Sequence, residues 1–146
     1  MIKRATRVGL VIGVAAGLLA GCGEEEDPKA EYIADGDEIC ARGTFAIGQE
    51  GRDRYGTPQP PPKKQKEFTT EVIVPTLQTE VLEKLRELTP PEGDQQTAAA
   101  IYDALERGIA ALRDDPELIE EPNIGGAFDE ANRLAQAYGF QQCGRN

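Results

Sequence analysis

The stretch FTTEVIVPTLQTEVLEKLREL, Phe68 to Leu88, decides the fold class. Phe68, Val72, Pro75, Leu82 and Leu85 trace one apolar stripe at helical spacing, and Ile73, Leu77, Val81 and Leu88 trace an adjoining one. Two adjoining stripes make a broad apolar face, which suits the central helix of a bundle. Glu71-Val-Ile-Val-Pro75 has the composition of a short strand, but the residues on either side continue the helical period. The spacing therefore predicts one helix from Lys64 to Leu88, the longest in the chain. Pro75 lacks a backbone donor and is expected to kink this helix or divide it in two. Thr89-Pro-Pro-Glu-Gly93 ends it.

On the C-terminal side, Asp94 suits the N-cap of a helix that runs to about Arg113 and buries Ile101, Leu105, Ile109 and Leu112. An acidic connection from Asp114 follows, with room for one helical turn after Pro116. A last helix is expected from about Gly125 to Tyr138, with Phe128, Ala131, Leu134, Ala135 and Tyr138 inward and Gly139 as its stop. On the N-terminal side, Glu31 to about Arg54 shows two faces: Ile33, Cys40, Ile47 and Tyr32, Ile39, Ala46. Gly36, Gly43 and Gly48 weaken that helix. The proline-rich linker at about 55–63 then stops it and is expected to be extended and exposed. No segment alternates long enough for a strand. The expected domain, residues 31–146, is all-α and four-helix bundle-like.

Composition narrows the chemistry. The 146 residues contain no His, Trp or Ser. Without His there is no proton shuttle near neutral pH and no imidazole metal ligand. Serine-type and cysteine-type triads cannot be assembled. Net charge is −10, from 26 acidic and 16 basic side chains. Such a surface repels phosphate backbones, so nucleic acid is not an expected partner.

Two acidic clusters invite a cation. A 12-residue calcium loop starting at Asp35 fails at its fifth, sixth and twelfth positions, which are Ile39, Cys40 and Ala46. Asp35, Asp37 and Glu38 are better read as exposed acids near a helix start, and Asp114 to Glu121 as a solvated connection. Paired carboxylates can hydrolyse glycosides without His or Ser, but no pair stands out. Tyr32, Tyr102 and Tyr138 fall at apolar positions and read as core residues with their hydroxyls at the rim. No catalytic residue, cofactor or metal ligand is assigned.

The first residues carry an address. Lys3, Arg4 and Arg7 precede an uncharged run, Val8 to Ala20, which is too short for an ordinary spanning helix of roughly 20 apolar residues. Leu19-Ala20-Gly21-Cys22 follows. This pattern resembles the type II signal peptide and lipobox of bacterial lipoproteins. The resemblance implies that residues 1–21 are a cleaved signal helix and that Cys22 is the lipid attachment site. Sulfur is the strongest nucleophile among the neutral side chains. Two acyl chains on Cys22 would give stable anchoring where one gives only marginal binding. Residues 22–30 would then be the lipidated Cys and an acidic tether. With the leader gone, 26 acidic side chains face 13 basic ones, a net of −13.

Three cysteines are an odd number. Lipidation of Cys22 resolves the parity, and Cys40 and Cys143 are then expected to pair outside the cytoplasm. Tyr32-Ile-Ala…Ile39-Cys40, with the closing Ala131-to-Gly144 segment, is similar to small exported helical proteins and lipoproteins of high-GC Gram-positive bacteria. That resemblance implies that the two motifs are halves of a disulfide staple, and it brings no activity with it. The expected protein is an extracytoplasmic domain held at the cell membrane through Cys22. It would act by binding, with an envelope protein as the candidate partner, through a groove between helices or an acidic face. The alternatives are an envelope enzyme using paired carboxylates and a weak divalent-cation-binding protein.

Overall fold

The structure, a computed structural model, describes residues 27–145, and among them it contains four main helices and no strand. The all-α class follows. Helix α1 spans Pro28–Tyr55, 28 residues. Its start is set by Asp27, whose carboxylate accepts from the Lys29 backbone N–H at 3.0 Å, and by Pro28 in the first turn, where a missing N–H costs nothing. Gly56 ends it at φ 75, donating its N–H to the Arg52 carbonyl. The helix thus begins three residues before the expected Glu31 and takes in part of the expected tether. It also displaces the segment after Lys64 as the longest helix.

Helix α2 is a continuous rod over residues 65–87. Three α-helical pieces, Gln65–Phe68, Val74–Thr76 and Glu83–Glu87, alternate with two π-helical pieces, Thr69–Ile73 and Leu77–Leu82. Pro75 neither ends nor divides the rod. Its ring is exposed, contrary to its place in the expected stripe, and the turns on either side are widened. Val74 donates to the Thr69 carbonyl and Glu83 to the Gln78 carbonyl, each five residues back. A proline ring collides with the carbonyl four residues before it, and wider turns relieve that collision without breaking the rod. The Thr79 hydroxyl donates to the Pro75 carbonyl at 3.1 Å.

Helix α3, Gln95–Asp114, packs against α4, Asp129–Tyr138, while α2 lies between α1 and α3. The expected last helix is shortened at its start. Pro122–Gly126 forms a 3-10 turn, because Gly125 and Gly126 take positive φ and cannot continue an α-helix. A second 3-10 turn, Pro116–Glu120, precedes it and packs on the start of α2.

The core gathers Phe68, Leu82, Leu85, Ile109, Leu112 and Phe140, all fully buried. Arg86 on α2 reaches Glu106 on α3 at 2.9 Å, and Arg54 on α1 reaches Glu71 on α2 at 2.8 Å. These exposed pairs fix orientation more than stability.

Helix α1 packs through glycine as much as through apolar side chains. A Cβ at Gly36 would fall 2.5 Å from Phe140 Cε1, and one at Gly43 would collide with Val81 Cγ2. The residues that weaken the helix let its neighbours approach its backbone. Meanwhile Ala46 is exposed and Ile47 only half-buried, so the buried face runs Tyr32, Gly36, Ile39, Cys40, Gly43.

Candidate functional site: a clasped tail and the groove beside it

Three tyrosines, each buried as its apolar position predicts, meet at one end of the bundle together with Phe140. Tyr32 and Tyr138 meet edge-on with ring centroids 5.9 Å apart, and Phe140 lies 5.5 Å from Tyr138. The Tyr32 and Tyr102 hydroxyls hydrogen-bond to each other. Tyr138 donates to Asp94 Oδ2 at 2.7 Å, so the Asp94 carboxylate is not used as a side-chain cap for α3. Burial raises all three phenol pKa values above the ordinary 10, and Asp94 raises that of Tyr138 further. Lys29 Nζ sits 4.2 Å from the Tyr138 ring centroid. These are satisfied, protonated hydroxyls in a packed cluster.

Cys40 and Cys143 are bonded, with Cα atoms 5.2 Å apart. Asp37, one turn before Cys40 on α1, grips the same tail. Its carboxylate accepts from the backbone N–H of Gln141 at 2.8 Å, Gln142 at 2.7 Å and Cys143 at 3.1 Å. Hydrogen bonds to an ionised acceptor are the strong kind. Gln136 on α4 donates to the Gly144 carbonyl at 2.5 Å. Sequence reasoning placed Asp37 with exposed acids near a helix start, but α1 begins nine residues earlier and Asp37 is partly buried under the tail. An Asp three residues, about one turn, before a disulfide cysteine was the available signal.

The other acids stay on the surface. Glu38 lies 3.8 Å from Arg42, Glu117 pairs with Lys66 at 3.0 Å, and Asp115 caps its 3-10 turn through the Glu117 N–H at 3.1 Å. Among the described residues no group of three or more Cys, Asp or Glu side chains could hold a metal ion. Arg86 lowers the Glu106 carboxyl pKa and Arg133 lowers that of Glu130. Both shifts have the direction of ion pairs, opposite to the one a general acid requires.

Beside the disulfide, α1, α2 and α4 leave an apolar recess of about 190 Å³ floored by Leu77 and Val81 and flanked by Phe128. A second recess of about 360 Å³ lies further along α2, between Ile73, Ile119 and the prolines Pro58 and Pro60. Ile124 lines both recesses. Thr69 lines the second; it is 0% exposed, and its hydroxyl has no hydrogen-bond partner. A site buried in this way and left unpaired is uncommon in a folded protein. Neither Ile124 nor Thr69 stood out in the sequence, because Ile124 sits in a connection and Thr69 on a helix that reads as core.

Cys22, the leader and residues 23–26 of the tether lie outside the described residues. No described helix is long and apolar enough to cross a membrane. The architecture defines the class: an all-α domain of four helices whose tail is clasped to its first helix by a disulfide. Compared with known proteins, the chain matches no family model, no curated protein and no solved structure.

Proposed function

We propose that the protein is an extracytoplasmic lipoprotein, held at the membrane by a lipid on Cys22, whose helical domain binds a ligand or partner and does no covalent chemistry. The observation that carries this reading is the Cys40–Cys143 bond. Disulfides persist in oxidising compartments, and this pairing leaves Cys22, in Leu19-Ala20-Gly21-Cys22, as the one cysteine outside it. The binding role is supported by the two apolar recesses, which no carboxylate lines. Asp37 docks the tail, Asp27 and Asp115 cap helical turns, and Glu71, Glu106, Glu117 and Glu130 form surface ion pairs. Carboxylate catalysis and divalent-cation binding therefore have less support from the geometry.

The test is the intact mass of protein purified from the membranes of its native host. The expected mass is that of residues 22–146 carrying a diacylglyceryl group and one internal disulfide. Cys22→Ala should leave the membrane fraction or remain unprocessed. A bare Cys22 thiol in mature, membrane-bound protein would remove the anchor from this reading.

A further inference from the structure

The two recesses lie end to end along α2 and share Ile124 as a common wall, so that moving this side chain would join them into one groove. On α2 their floor is Thr69, Ile73, Leu77 and Val81, a stripe with a strict spacing of four. In a pure α-helix such a stripe drifts by about 40° at each step, because four residues exceed one turn of 3.6. Wider π turns reverse that drift, and both π-helical pieces of α2, Thr69–Ile73 and Leu77–Leu82, fall on this stripe. The four side chains are thereby aligned along the rod. At about 1.5 Å per residue the stripe is roughly 18 Å long. That is close to half the hydrocarbon thickness of a bilayer, about 15 Å of roughly 30 Å, which is the length of one lipid acyl chain.

Three observations are not explained by packing alone. Ile124, which lines both recesses, has φ 52, a left-handed conformation that a β-branched residue adopts only under strain. Gly125 and Gly126, both at positive φ, follow it directly, where the backbone is least restricted. Thr69 holds an unpartnered hydroxyl at one end of the stripe. Ile73 and Leu77 between the two ends are only half-buried, although they belong to the central helix. The lining is mainly apolar, with Thr44, Gln142 and Arg145 at the rim of the first recess and Gln59 and Gln65 at that of the second, and no carboxylate lines either in a chain of net charge −10.

From this we infer that the groove binds a single acyl chain, laid along Thr69, Ile73, Leu77 and Val81, with its carbonyl oxygen accepting from the Thr69 hydroxyl and Ile124 swung aside. The inference rests on the binding role proposed above and adds its ligand class. It does not depend on the anchor at Cys22. A free fatty acid and an acyl ester share this chemistry.

The test uses the full chain in its own membranes. Dodecanoic acid bearing a diazirine near its methyl end is added in one arm, and the monoglyceride of the same acid in another. After irradiation, labelled peptides are mapped by mass spectrometry. Label should concentrate on the peptides holding Leu77, Val81 and Ile124, at least tenfold above that holding Phe45, the control, which is 65% exposed. The arm with the higher yield identifies the source of the chain. Leu77→Arg should cut the labelling at least tenfold, with retention of the Cys40–Cys143 peptide pair reporting that the variant is folded. Thr69→Val, which keeps the shape and removes the unpaired hydroxyl, should lower labelling severalfold while leaving the melting temperature unchanged or higher. Ile124→Gly should raise labelling. Label distributed according to exposure, or unaffected by both Leu77→Arg and Thr69→Val, overturns the inference even if Cys22 carries its lipid. Groove labelling in protein with a bare Cys22 upholds it while the anchor falls.

Discussion

Replacing both bonded cysteines, Cys40→Ala with Cys143→Ala, separates two ways in which the bridge could act. It joins residues 103 apart in sequence. In the chain-entropy account, a closed loop of that size stabilises by about 4.7 kcal/mol, because the unfolded chain loses freedom when its distant parts are tied. The folded state of the variant should change little, since Asp37 still accepts from the three N–H groups of 141–143 and Phe140 still lies under Gly36. Measured effects fall below the entropic figure in many proteins, so the expected loss is about 3–4.5 kcal/mol. For a domain of this size that is roughly 10–20 °C in Tm. Urea unfolding followed by helical circular dichroism gives the loss. It should come with a higher m-value, because the untied unfolded chain exposes more surface. Hydrogen exchange at residues 141–143 should remain protected up to the reduced global stability. A loss under about 1 kcal/mol, or an unchanged m-value with complete loss of protection at 141–143, would refute the reasoning. The bridge would then be a local fastener of the tail.

Two further outcomes follow from the packing and the phenols. Gly36→Ala places a methyl 2.5 Å from Phe140 Cε1, so the helix it favours intrinsically should nonetheless yield a less stable protein, by about 1–3 kcal/mol in chemical denaturation; a stabilised variant would show that Phe140 is free to move. The raised pKa values of Tyr32, Tyr102 and Tyr138 mean that the native state holds phenol protons which the unfolded state releases above pH 10. Their contribution is therefore complete below pH 10 and lost as pH rises beyond it. Tyrosinate absorbance should appear together with loss of helical signal, and gradual ionisation of these three with the helices intact would contradict the burial.

The helical class was legible because apolar residues recur at helical spacing in every segment. Ile101, Ile109 and Leu112 are buried as the spacing of α3 requires, and Tyr32, Tyr102 and Tyr138 lie where theirs does. The pairing of Cys40 with Cys143 was legible from parity once Cys22 was set aside. Boundaries were less so. The expected start of α1 at Glu31 overlooked Asp27-Pro28, a cap followed by a proline suited to a first turn. Pro75 misled in a different way. Its position in a stripe suggested burial and a break, but the wider turns of α2 let the ring face solvent, and no local composition signals a π turn. The groove was illegible because its parts come from all four helices, the linker, the connection before α4 and the tail. Asp37 was hidden for the same reason, since its partners lie more than a hundred residues away.

The clasp also sets how the molecule carries mechanical load. Tension applied between residue 27 and the tail beyond Cys143 passes through the sulfur bridge to Cys40 and returns along roughly three turns of α1. Helices α2, α3 and α4 lie on a slack branch of that circuit and bear none of it. A tug on the tail would load the opening turns of α1 together with the wall that Cys40, Cys143 and Arg145 give the nearer recess, while the recess further along α2 stays off the loaded path.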